Sequence, residues 1–428
     1  MTYEEATAYI ASLAPRGWRM GLDRMEALVQ RAGLESCIGR PAGPQFVHVA
    51  GTNGKGSVTA YLQSMMVESG YRTGAFFSPY VNDLRERVQF GRQMIHRHDL
   101  ARLTCKLMPI AESFTDTDYG GVTEFEFKTA LGLAYWKERA CDWVALEVGL
   151  GGRLDATNVV APRACVVVSI GLDHTGILGD THAEIAFEKA GIVKPGIPAI
   201  VGDMVPEARE VIEREASLRG APLWLYGREV VVEPDRGARH FTVATPARSH
   251  PNLRPGLVGK KQVHNLALAV AAFDAAGCFR QEHAVHKGVR AAFVPGRFEK
   301  RFYGGREVVL DGAHNIEAAV ALADTIEDQY PGRRIVLVTG MVAGHDPSKF
   351  FEPLAHLVTR AHVAPINFHR ALPPADVALE LYDQVATVET HASVFDALAA
   401  ALQSAQDGEL IVVTGSFYLV GEATAIIT

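Results

Sequence analysis

The 428-residue sequence is poor in cysteine and has no cysteine pair at metal-binding spacing. Its five thiols are Cys37, Cys105, Cys141, Cys165 and Cys278. An odd number without any Cys-x-x-Cys pair argues against both a disulfide framework and a zinc knuckle. We therefore expect these residues to be small buried hydrophobic groups.

We expect neither a secretion signal nor a membrane span, and basic residues form no dense cluster in the sequence. The first twenty residues carry Glu4 and Glu5 instead of a basic start followed by an apolar segment. No uncharged apolar run approaches the ~18 residues of a membrane helix. Lys and Arg number 42 against 49 Asp and Glu, a net charge of −7, so nucleic acid is disfavoured as a partner. We expect a cytoplasmic protein that binds neither nucleic acid nor membrane.

The remaining composition is that of a globular chain, with 48% hydrophobic and 21% charged residues. Short β-branched runs alternate with stretches whose apolar residues lie three and four apart, which predicts an α/β fold with mainly parallel sheets. The predicted strands are Gln45–Ala50, Trp143–Val148, Cys165–Ile170, Pro198–Gly202, Val308–Asp311, Ile335–Gly340, His362–Pro365 and Leu410–Gly415.

A turn signal at Pro295-Gly296 divides this pattern. We predict a larger N-terminal domain over residues 1–295 and a smaller C-terminal Rossmann-like α/β domain over residues 296–428. Residues 233–256 are rich in Pro, Arg, Gly and Ser and predict an irregular or hairpin excursion.

A phosphate-binding loop is the clearest chemical signal. A predicted strand runs through this loop into a helix that contains Leu62 and Met65. Glycines let backbone amides approach phosphate oxygens, the lysine reaches terminal phosphates, and the serine hydroxyl suits Mg²⁺. One glycine separates the lysine from the serine, unlike the standard motif. The loop reads Gly51-Thr52-Asn53-Gly54-Lys55-Gly56-Ser57. It predicts that the N-terminal domain is a P-loop ATPase domain, with a glycine turn that binds no ligand as the alternative.

Three further side chains follow predicted strands or helices of the same domain. Glu147 ends a buried strand, where a carboxylate suits Mg²⁺ beside a nucleotide; a hydrogen-bonded buried acid is the alternative. His174 follows the next strand, although a lone histidine there is more often a loop residue. Lys189 lies near a helix end, where a lone lysine usually complements the helix dipole.

Seven segments occur in an order that resembles one family. They are Gly51–Ser57, Glu147–Asn158, Ser169–Gly179, Phe187–Gly196, Pro295–Glu299, Asp311–Asn315 and Val413–Val420. Together they resemble the dihydrofolate synthase and folylpolyglutamate synthase family of Mur-ligase-like amide ligases, from about residue 3 to about residue 422. The resemblance implies ATP-dependent addition of L-glutamate to dihydropteroate and to reduced folates through an acyl phosphate, with Mg²⁺ as cofactor.

The resemblance also implies site residues. Catalytic roles fall on Lys55, Glu147, His174 and Lys189, and two Mg²⁺ ions would be held by Ser57, Ser78, Glu147, His174 and Lys189, the lysine as an N-carbamate. Pterin contacts fall on Gly21, Leu22, Arg24, Thr123, Phe125, Glu126, Leu154, Asp155 and Ala156, although core packing is an equal alternative for Phe125. Beyond the loop itself, the nucleotide positions are Gln262, Asn265, Arg297, Asp311 and His314.

Two departures from the family pattern leave residues without a role, namely Lys261 before Gln262 and His345 in Gly344-His345-Asp346. Three other functions stay open at this point. One is a monofunctional folylpolyglutamate synthase, and another is a P-loop nucleotide switch. A different Mur-type ligase is less favoured, because only about 45 residues precede the loop, too few for a further domain. We expect a monomer.

Overall fold

The chain forms two units, and each is built on a mainly parallel sheet with helices around it, so the predicted α/β class is confirmed. The computed structural model describes residues 1–17, 19–39, 43–235 and 239–427. The first unit comprises Met1–Pro79, Leu84–Gly256 and Val263–Phe293, and the second comprises Tyr80–Asp83, Leu257–Gln262 and Val294–Thr428. Nothing in the sequence signals the two short segments of the second unit. The domain limits 1–295 and 296–428 stay predictions.

An eight-stranded sheet forms the centre of the first unit. Its strands are β1 (Gln45–Ala50), β2 (Thr73–Phe76), β3 (Val88–Phe90), β4 (Gln93–Met94), β5 (Trp143–Glu147), β6 (Ala164–Val167), β7 (Ala199–Val201) and β8 (Leu223–Leu225), in the spatial order β4-β3-β2-β5-β1-β6-β7-β8. Strand β1 lies between β5 and β6 and is parallel to both. The carboxyl ends of these three strands share one edge, which is where open α/β sheets bind ligands.

Helices surround this sheet, and the second of the two short segments of the second unit, Leu257–Gln262, runs into the first turn of the helix Lys260–Ala275. They are α1 (Tyr3–Ser12), α2 (Asp23–Arg31), α3 (Lys55–Glu68), α4 (Arg97–Glu112), α5 (Glu124–Glu138), α6 (Thr175–Leu178), α7 (His182–Ala190), α8 (Pro206–Leu218), α9 (Lys260–Ala275) and α10 (Glu282–Ala291). Capping boxes begin α5 at Thr123 and α7 at Thr181, where the threonine hydroxyl and a glutamate three residues later satisfy exposed backbone N–H groups. Among the described helices, none combines the length and apolar character needed to cross a bilayer.

The segment predicted as an irregular or hairpin excursion is a small antiparallel sheet. Its strands are β9 (Val231–Pro234), β10 (Phe241–Ala244) and β11 (Ser249–Leu253), with β10 in the middle. Residues 236–238 of the excursion lie outside the described part of the chain. Buried His250 of β11 bonds to Asp274 of α9 and Glu282 of α10, at 3.0 Å to each, and so fastens this sheet to two helices.

The second unit is built on a six-stranded sheet. Its strands are β12 (Glu299–Tyr303), β13 (Arg306–Leu310), β14 (Ile335–Thr339), β15 (Val358–Val363), β16 (Val388–Thr390) and β17 (Leu410–Thr414), in the order β12-β13-β17-β14-β15-β16. Its helices are α11 (Ile316–Gln329), α12 (Pro347–Ala355), α13 (Pro374–Tyr382), α14 (Val394–Ser404) and α15 (Phe417–Ile427). The segment Tyr80–Asp83 packs into this unit, since a Cβ on Gly421 would lie 2.2 Å from the Val81 carbonyl oxygen.

Three sequence predictions need correction. The strand predicted at His362–Pro365 is β15, Val358–Val363, and begins four residues earlier, because the partly exposed Thr359 and Arg360 interrupt the apolar pattern at its start. The strand predicted at Cys165–Ile170 ends at Val167, because Ser169 turns its backbone and hydroxyl to the phosphate loop instead of extending the sheet. The thiol of Cys105 is exposed, unlike the other four. It lies on the outer face of α4, whose inner face buries Leu103 and Leu107.

Candidate active site

The predicted phosphate loop connects β1 to α3, as the sequence indicates. Gly54 precedes the helix with φ +86°, a conformation that favours glycine, and Lys55 is the first helical residue. Lys55 Nζ donates to the carbonyl oxygens of Gly51 (2.9 Å) and Thr52 (3.1 Å). The lysine amine thus lies over the loop, and the first backbone N–H groups of α3 belong to the same loop. The lysine amine and these N–H groups both favour binding of an anion.

Side chains from two other elements hold the loop. Thr52 N donates to the Ser169 carbonyl oxygen at 2.9 Å, and the Ser169 hydroxyl both accepts from Asn53 N and donates to Asn53 O, each at 3.0 Å. From α9, Asn265 lies over Gly54, because a Cβ there would come within 2.6 Å of Asn265 Oδ1. Asn265 therefore lies beside the phosphate loop. Its role in nucleotide binding stays a prediction.

The Glu147 carboxylate lies beside the loop and is bonded to the segment that contains Ser78. The Glu147 carboxylate faces Gly56, since a Cβ there would lie 3.6 Å from Glu147 Oε2, and it accepts from Ser78 N at 2.9 Å. Glu147 and Ser57 are almost fully buried. A carboxylate and serine hydroxyls form a hard oxygen donor set, which fits Mg²⁺. The residues present therefore suit the predicted cation.

Lys189 lies behind the same loop. Its Nζ donates to the Gly51 carbonyl oxygen at 3.2 Å, and the side chain is buried. Burial, together with the nearby charge of Lys55, lowers the pKa of Lys189 to about 7, while Asp173 and Asp155 act in the opposite direction. A large fraction of this amine is therefore uncharged at neutral pH, unlike an ordinary lysine.

His174 is placed differently from the other predicted metal ligands. It adopts φ +53° immediately before the four-residue helix α6, and its side chain is 40% exposed. Its Nε2 lies 3.8 Å from Asp173 Oδ1. Because β6 ends at Val167, His174 is on a loop beyond the strand end, so its role as a ligand stays a prediction.

Asp155 belongs to a buried hydrogen-bond chain. Its Oδ1 accepts from Thr157 N (2.9 Å) and from the Thr157 hydroxyl, and its Oδ2 accepts from Leu150 N (2.9 Å). Burial raises the pKa of Asp155, and these hydrogen bonds partly offset that effect. The Thr157 hydroxyl, which donates to Asp155, lies 2.9 Å from His48 Nε2. Asp155 thus holds its own loop in shape, a function additional to the predicted pterin contact.

This loop also packs on the helix that carries Lys189. Arg153 N donates to the Glu188 carbonyl oxygen at 2.7 Å, and the Arg153 guanidinium pairs with the Glu188 carboxylate at 2.7 Å. A Cβ on Gly152 would lie 3.0 Å from the Lys189 carbonyl oxygen. The predicted pterin residues Leu154 (half-buried) and Ala156 (buried) are therefore carried by a loop fixed to α7.

The other predicted pterin residues meet at the start of α5. Arg24 of α2 donates through Nε to Glu126 Oε2 at 2.7 Å, and both side chains are buried. The same oxygen accepts from the backbone N–H and hydroxyl of Thr123. The network joins α2, with half-buried Gly21 and Leu22 just before it, to α5. These charged groups bond to other groups of the protein, so their direct contact with a pterin stays a prediction.

Phe125 is in a helix, at the second residue of α5, and is half-buried. Its ring covers Gly149, where a Cβ would come within 2.3 Å of the ring carbon Cζ. It also meets Phe76 edge to face, with ring centroids 5.9 Å apart, and the Arg87 guanidinium lies 5.5 Å from its centroid. The ring lies between the core and the loop that follows Glu147, which is compatible with both packing and a flat ligand.

The second unit contains the remaining predicted residues. Asp311 follows β13 and accepts from Phe298 N (2.8 Å) and Ala313 N (2.9 Å); burial raises its pKa, and the charge of Arg297 partly offsets this. The Arg297 guanidinium lies 4.4 Å from the centre of the Phe417 ring. Half-buried Gln262 belongs to the segment Leu257–Gln262 of this unit.

His314 completes that cluster. Its Nδ1 donates to the Gly312 carbonyl oxygen at 2.8 Å. Its ring lies 5.7 Å from Phe417 and 5.3 Å from His345, between ring centres. The structure therefore brings together three predicted residues, Arg297, Asp311 and His314. His345, which has no role assigned from the sequence, lies beside His314.

Two residues of these sites were missed by the sequence reasoning, namely Ser169 and Phe417. Ser169 bonds the phosphate loop, and Phe417 is the ring under Arg297. Each follows the carboxyl end of a strand, β6 and β17 respectively, inside segments that already resemble the family. Position at a strand end was the available signal for both.

Comparison with known proteins agrees with this architecture. The family model of the Mur ligase middle domain matches residues 49–273, and that of the Mur ligase, glutamate ligase domain, matches residues 296–417. Dihydrofolate synthase/folylpolyglutamate synthase from Bacillus subtilis (strain 168) is 34% identical over 431 residues, covering 98% of each chain.

Solved structures extend the similarity. Escherichia coli FolC in complex with DHPP and ADP superposes with a TM-score of 0.89 at 30% identity, over 100% of this chain and 98% of that chain. The bifunctional folylpolyglutamate synthase/dihydrofolate synthase from Yersinia pestis, complexed with AMPPNP and a Mn ion, gives a TM-score of 0.86 at 28% identity, over 100% and 98%. The chain therefore belongs to the dihydrofolate synthase/folylpolyglutamate synthase family, which shares the domains of the Mur ligases.

Proposed function

We propose that this protein is an ATP-dependent ligase that joins L-glutamate to dihydropteroate and to reduced folates. The observation that supports this best is the phosphate loop with its two lysine amines and the Glu147 carboxylate beside Gly56. Such a site binds a nucleoside triphosphate and its cation. The acceptor is inferred from the relatives, which are named dihydrofolate synthase/folylpolyglutamate synthase.

The chemistry requires activation of a carboxylate, which is a poor electrophile. A carboxylate oxygen of the pterin substrate attacks the γ-phosphorus of ATP, and ADP leaves, which gives an acyl phosphate. The uncharged amine of glutamate then attacks the acyl carbon. Phosphate leaves with the bonding electron pair, the nitrogen loses a proton, and an amide remains. The products are ADP, phosphate and the glutamylated pterin.

The protein's task in the first step is to bring two anions together. Lys55 would turn from its own loop carbonyls to the terminal phosphates, while the backbone N–H groups at the start of α3 hold the phosphate oxygens. The loop is already fastened by Ser169 and covered by Asn265. Little ordering is therefore needed on binding, and a preorganised site is the main source of rate in phosphoryl transfer.

Ser57, Ser78, Glu147 and His174 are the residues proposed to hold Mg²⁺, and Lys189 would join them as a carbamate. When bound, the cation supplies neutralisation of the negative charge on the β- and γ-phosphates. Carbamate formation needs an uncharged amine, since Nζ attacks the carbon of CO₂ and then releases a proton. The pKa of about 7 that burial and Lys55 impose on Lys189 meets this need.

A pterin site would lie between the start of α5 and the loop after Glu147. The Arg24–Glu126 pair fixes α5, Asp155 fixes the loop, and Phe125 lies between them over Gly149. We propose that the pterin ring packs near Phe125 and that Asp155 contributes an acceptor for its N–H groups. The carboxylate of the substrate would then extend toward the phosphate loop.

One coupled assay of ADP release tests this proposal. It would measure the full chain with ATP and Mg²⁺ over a matrix of dihydropteroate, tetrahydrofolate and glutamate, each present or absent. We expect ADP release only when a pterin and glutamate are both present, with either pterin serving. Turnover with tetrahydrofolate alone as acceptor would indicate a monofunctional folylpolyglutamate synthase. ADP release that needs neither pterin nor glutamate would contradict the ligase and favour a nucleotide switch.

A further inference from the structure

A group of metal-ligating side chains lies in the second unit, on the pair formed by β15 and β16. His362 of β15 and Glu389 of β16 are register partners in this parallel pair. His391 follows Glu389 by two residues, so it returns to the same face of the sheet. The group comprises one buried, one partly buried and one exposed side chain, in the order His362, His391, Glu389. None of the three was singled out as a site residue by the sequence.

Their donor atoms enclose a space of the size of a metal ion. His362 Nδ1 and His391 Nε2 are 3.0 Å apart, and Glu389 Oε2 lies 3.8 Å from the first and 4.0 Å from the second. A point equidistant from these three atoms lies about 2.1 Å from each, which matches the Zn–N and Zn–O bond lengths of roughly 2.0–2.2 Å. The exposed side of Glu389 leaves room for water as a further ligand.

A second observation concerns Nε2, the other ring nitrogen of His362. Its Nε2 lies 3.0 Å from the Ser404 hydroxyl at the end of α14, and that hydroxyl donates to the Ala401 carbonyl oxygen at 3.4 Å. In the neutral tautomer whose Nε2–H donates to this hydroxyl, the lone pair lies on Nδ1, where it can bind a metal ion. Metal-binding histidines are oriented by such a hydrogen bond on the second ring nitrogen.

The neighbouring charges do not exclude a cation. Arg360, two residues before His362 in β15, bonds to the Ser404 carbonyl oxygen, and its guanidinium lies 3.9 Å from Glu409 Oε2. Glu409 therefore offsets the Arg360 charge, and Glu389 stays available to offset that of a metal. Two imidazoles and a carboxylate are ligands that favour zinc and related first-row ions over Mg²⁺.

We propose that His362, His391 and Glu389 form a binding site for a divalent transition-metal ion, with Zn²⁺ as the expected occupant. The site uses none of the residues assigned to the ligase reaction. A bound ion would connect β16, a three-residue strand at the edge of the sheet, to buried β15. The alternative is a simple hydrogen bond between the two imidazoles, which the same 3.0 Å distance also allows.

Zinc binding by the full chain distinguishes a metal site from a simple hydrogen bond between His362 and His391. The measurement is equilibrium competition for Zn²⁺ against a chromophoric chelator, with excess Mg²⁺ to occupy the phosphate-loop site. A Cys105→Ser background removes the exposed thiol as a competing ligand. The variants are His391→Ala and Glu389→Gln. The matched control is His356→Ala, which breaks another histidine–carboxylate pair of this unit, with Glu327 at 2.9 Å.

We expect one Zn²⁺ per chain, at least tenfold weaker binding in His391→Ala, and weaker binding in Glu389→Gln, with the control unchanged. Ser404→Ala should weaken binding roughly 10–100-fold, since it removes the partner that orients His362. Because Glu389 is exposed, Glu389→Gln tests the site even if His391→Ala misfolds. Equal Zn²⁺ affinity in the parent and Glu389→Gln, or no bound zinc in the parent, would overturn the proposal.

Discussion

Lowering the pH from 7.5 to 5.0 should destabilise the first unit through His48, a fully buried histidine of β1. Its Nε2 is 2.9 Å from the Thr157 hydroxyl, which itself donates to Asp155. Thr157 therefore accepts from Nε2–H, and the ring is neutral in the folded protein. Burial, aided by the charge of Lys194, lowers the pKa of His48 to about 3.

The sign and size of the effect follow from proton linkage. The unfolded chain takes up a proton near pH 6.5, whereas folded His48 does not until about pH 3. Stability is therefore fully present above pH 6.5 and is lost as the pH falls below it. Over the 1.5 pH units between 6.5 and 5.0, the contribution of His48 to the free energy of unfolding falls by about 2 kcal/mol.

A comparison with His48→Gln isolates this contribution. The glutamine amide is neutral at every pH and keeps a donor for Thr157, and all other titrating groups are common to both proteins. Urea unfolding followed by tryptophan fluorescence reports the first unit, because the segments of the second unit contain no tryptophan. His98→Gln, at an exposed ring, controls for the substitution itself.

The free energy of unfolding of the wild type minus that of His48→Gln should fall by about 2 kcal/mol between pH 7.5 and 5.0. If this difference stays constant to within about 0.5 kcal/mol, the ring is not held neutral, and the proposed direction of the hydrogen bond to Thr157 is refuted.

Three further predictions concern the proposed reaction. Lys55→Ala and Ser57→Ala should each lower ADP production ~10²–10³-fold, because the first would remove the charge proposed to face the phosphates and the second a proposed cation ligand. Near-normal ADP release by either variant would contradict the phosphate-loop assignment. Lys189→Ala should lower turnover at least tenfold, with partial rescue by small carboxylic acids, whereas exposed Lys106→Ala should not; full activity of Lys189→Ala would exclude a carbamate ligand. Asp155→Ala should raise the KM for dihydropteroate by an amount equivalent to about 1.5–3 kcal/mol. It should also lower the Tm, because Asp155 holds its own loop. A raised KM for ATP alone would indicate instead that Asp155 acts on the nucleotide.

Local sequence pattern was sufficient for some elements of this protein. The phosphate loop lies between β1 and α3 because glycines and a helical apolar spacing follow each other directly along the chain. The strand Thr73–Phe76, by contrast, was not predicted. It is only four residues long and contains Gly74, which is required because a Cβ there would lie 2.5 Å from the Trp136 ring. That contact joins residues 62 positions apart, and no local pattern encodes it.

In the candidate site, too, local sequence pattern does not encode contacts between residues that are distant along the chain. Glu147 was found because it ends a buried strand, and its position beside Gly56 is a consequence of β1 and β5 being neighbours. The pairing of Arg24 with Glu126 was not foreseen, since buried charges are recognised only once their partners are known. The motif resemblance predicts that both residues contact a pterin, but it does not show that they bond to each other.

The short segment Tyr80–Asp83 affects which residues must be expressed to produce the second unit by itself. It belongs to the second unit, where the Val81 carbonyl oxygen lies against Gly421 and the Val81 side chain is 3.6 Å from the position of a Cβ on Gly296. An expression fragment that starts at residue 296, where the family model of the glutamate ligase domain begins, encodes neither this segment nor Leu257–Gln262. Such a fragment would expose the surface that Val81 covers. An independently produced second unit therefore needs residues 80–83 and 257–262 grafted onto it, for example through a permuted gene.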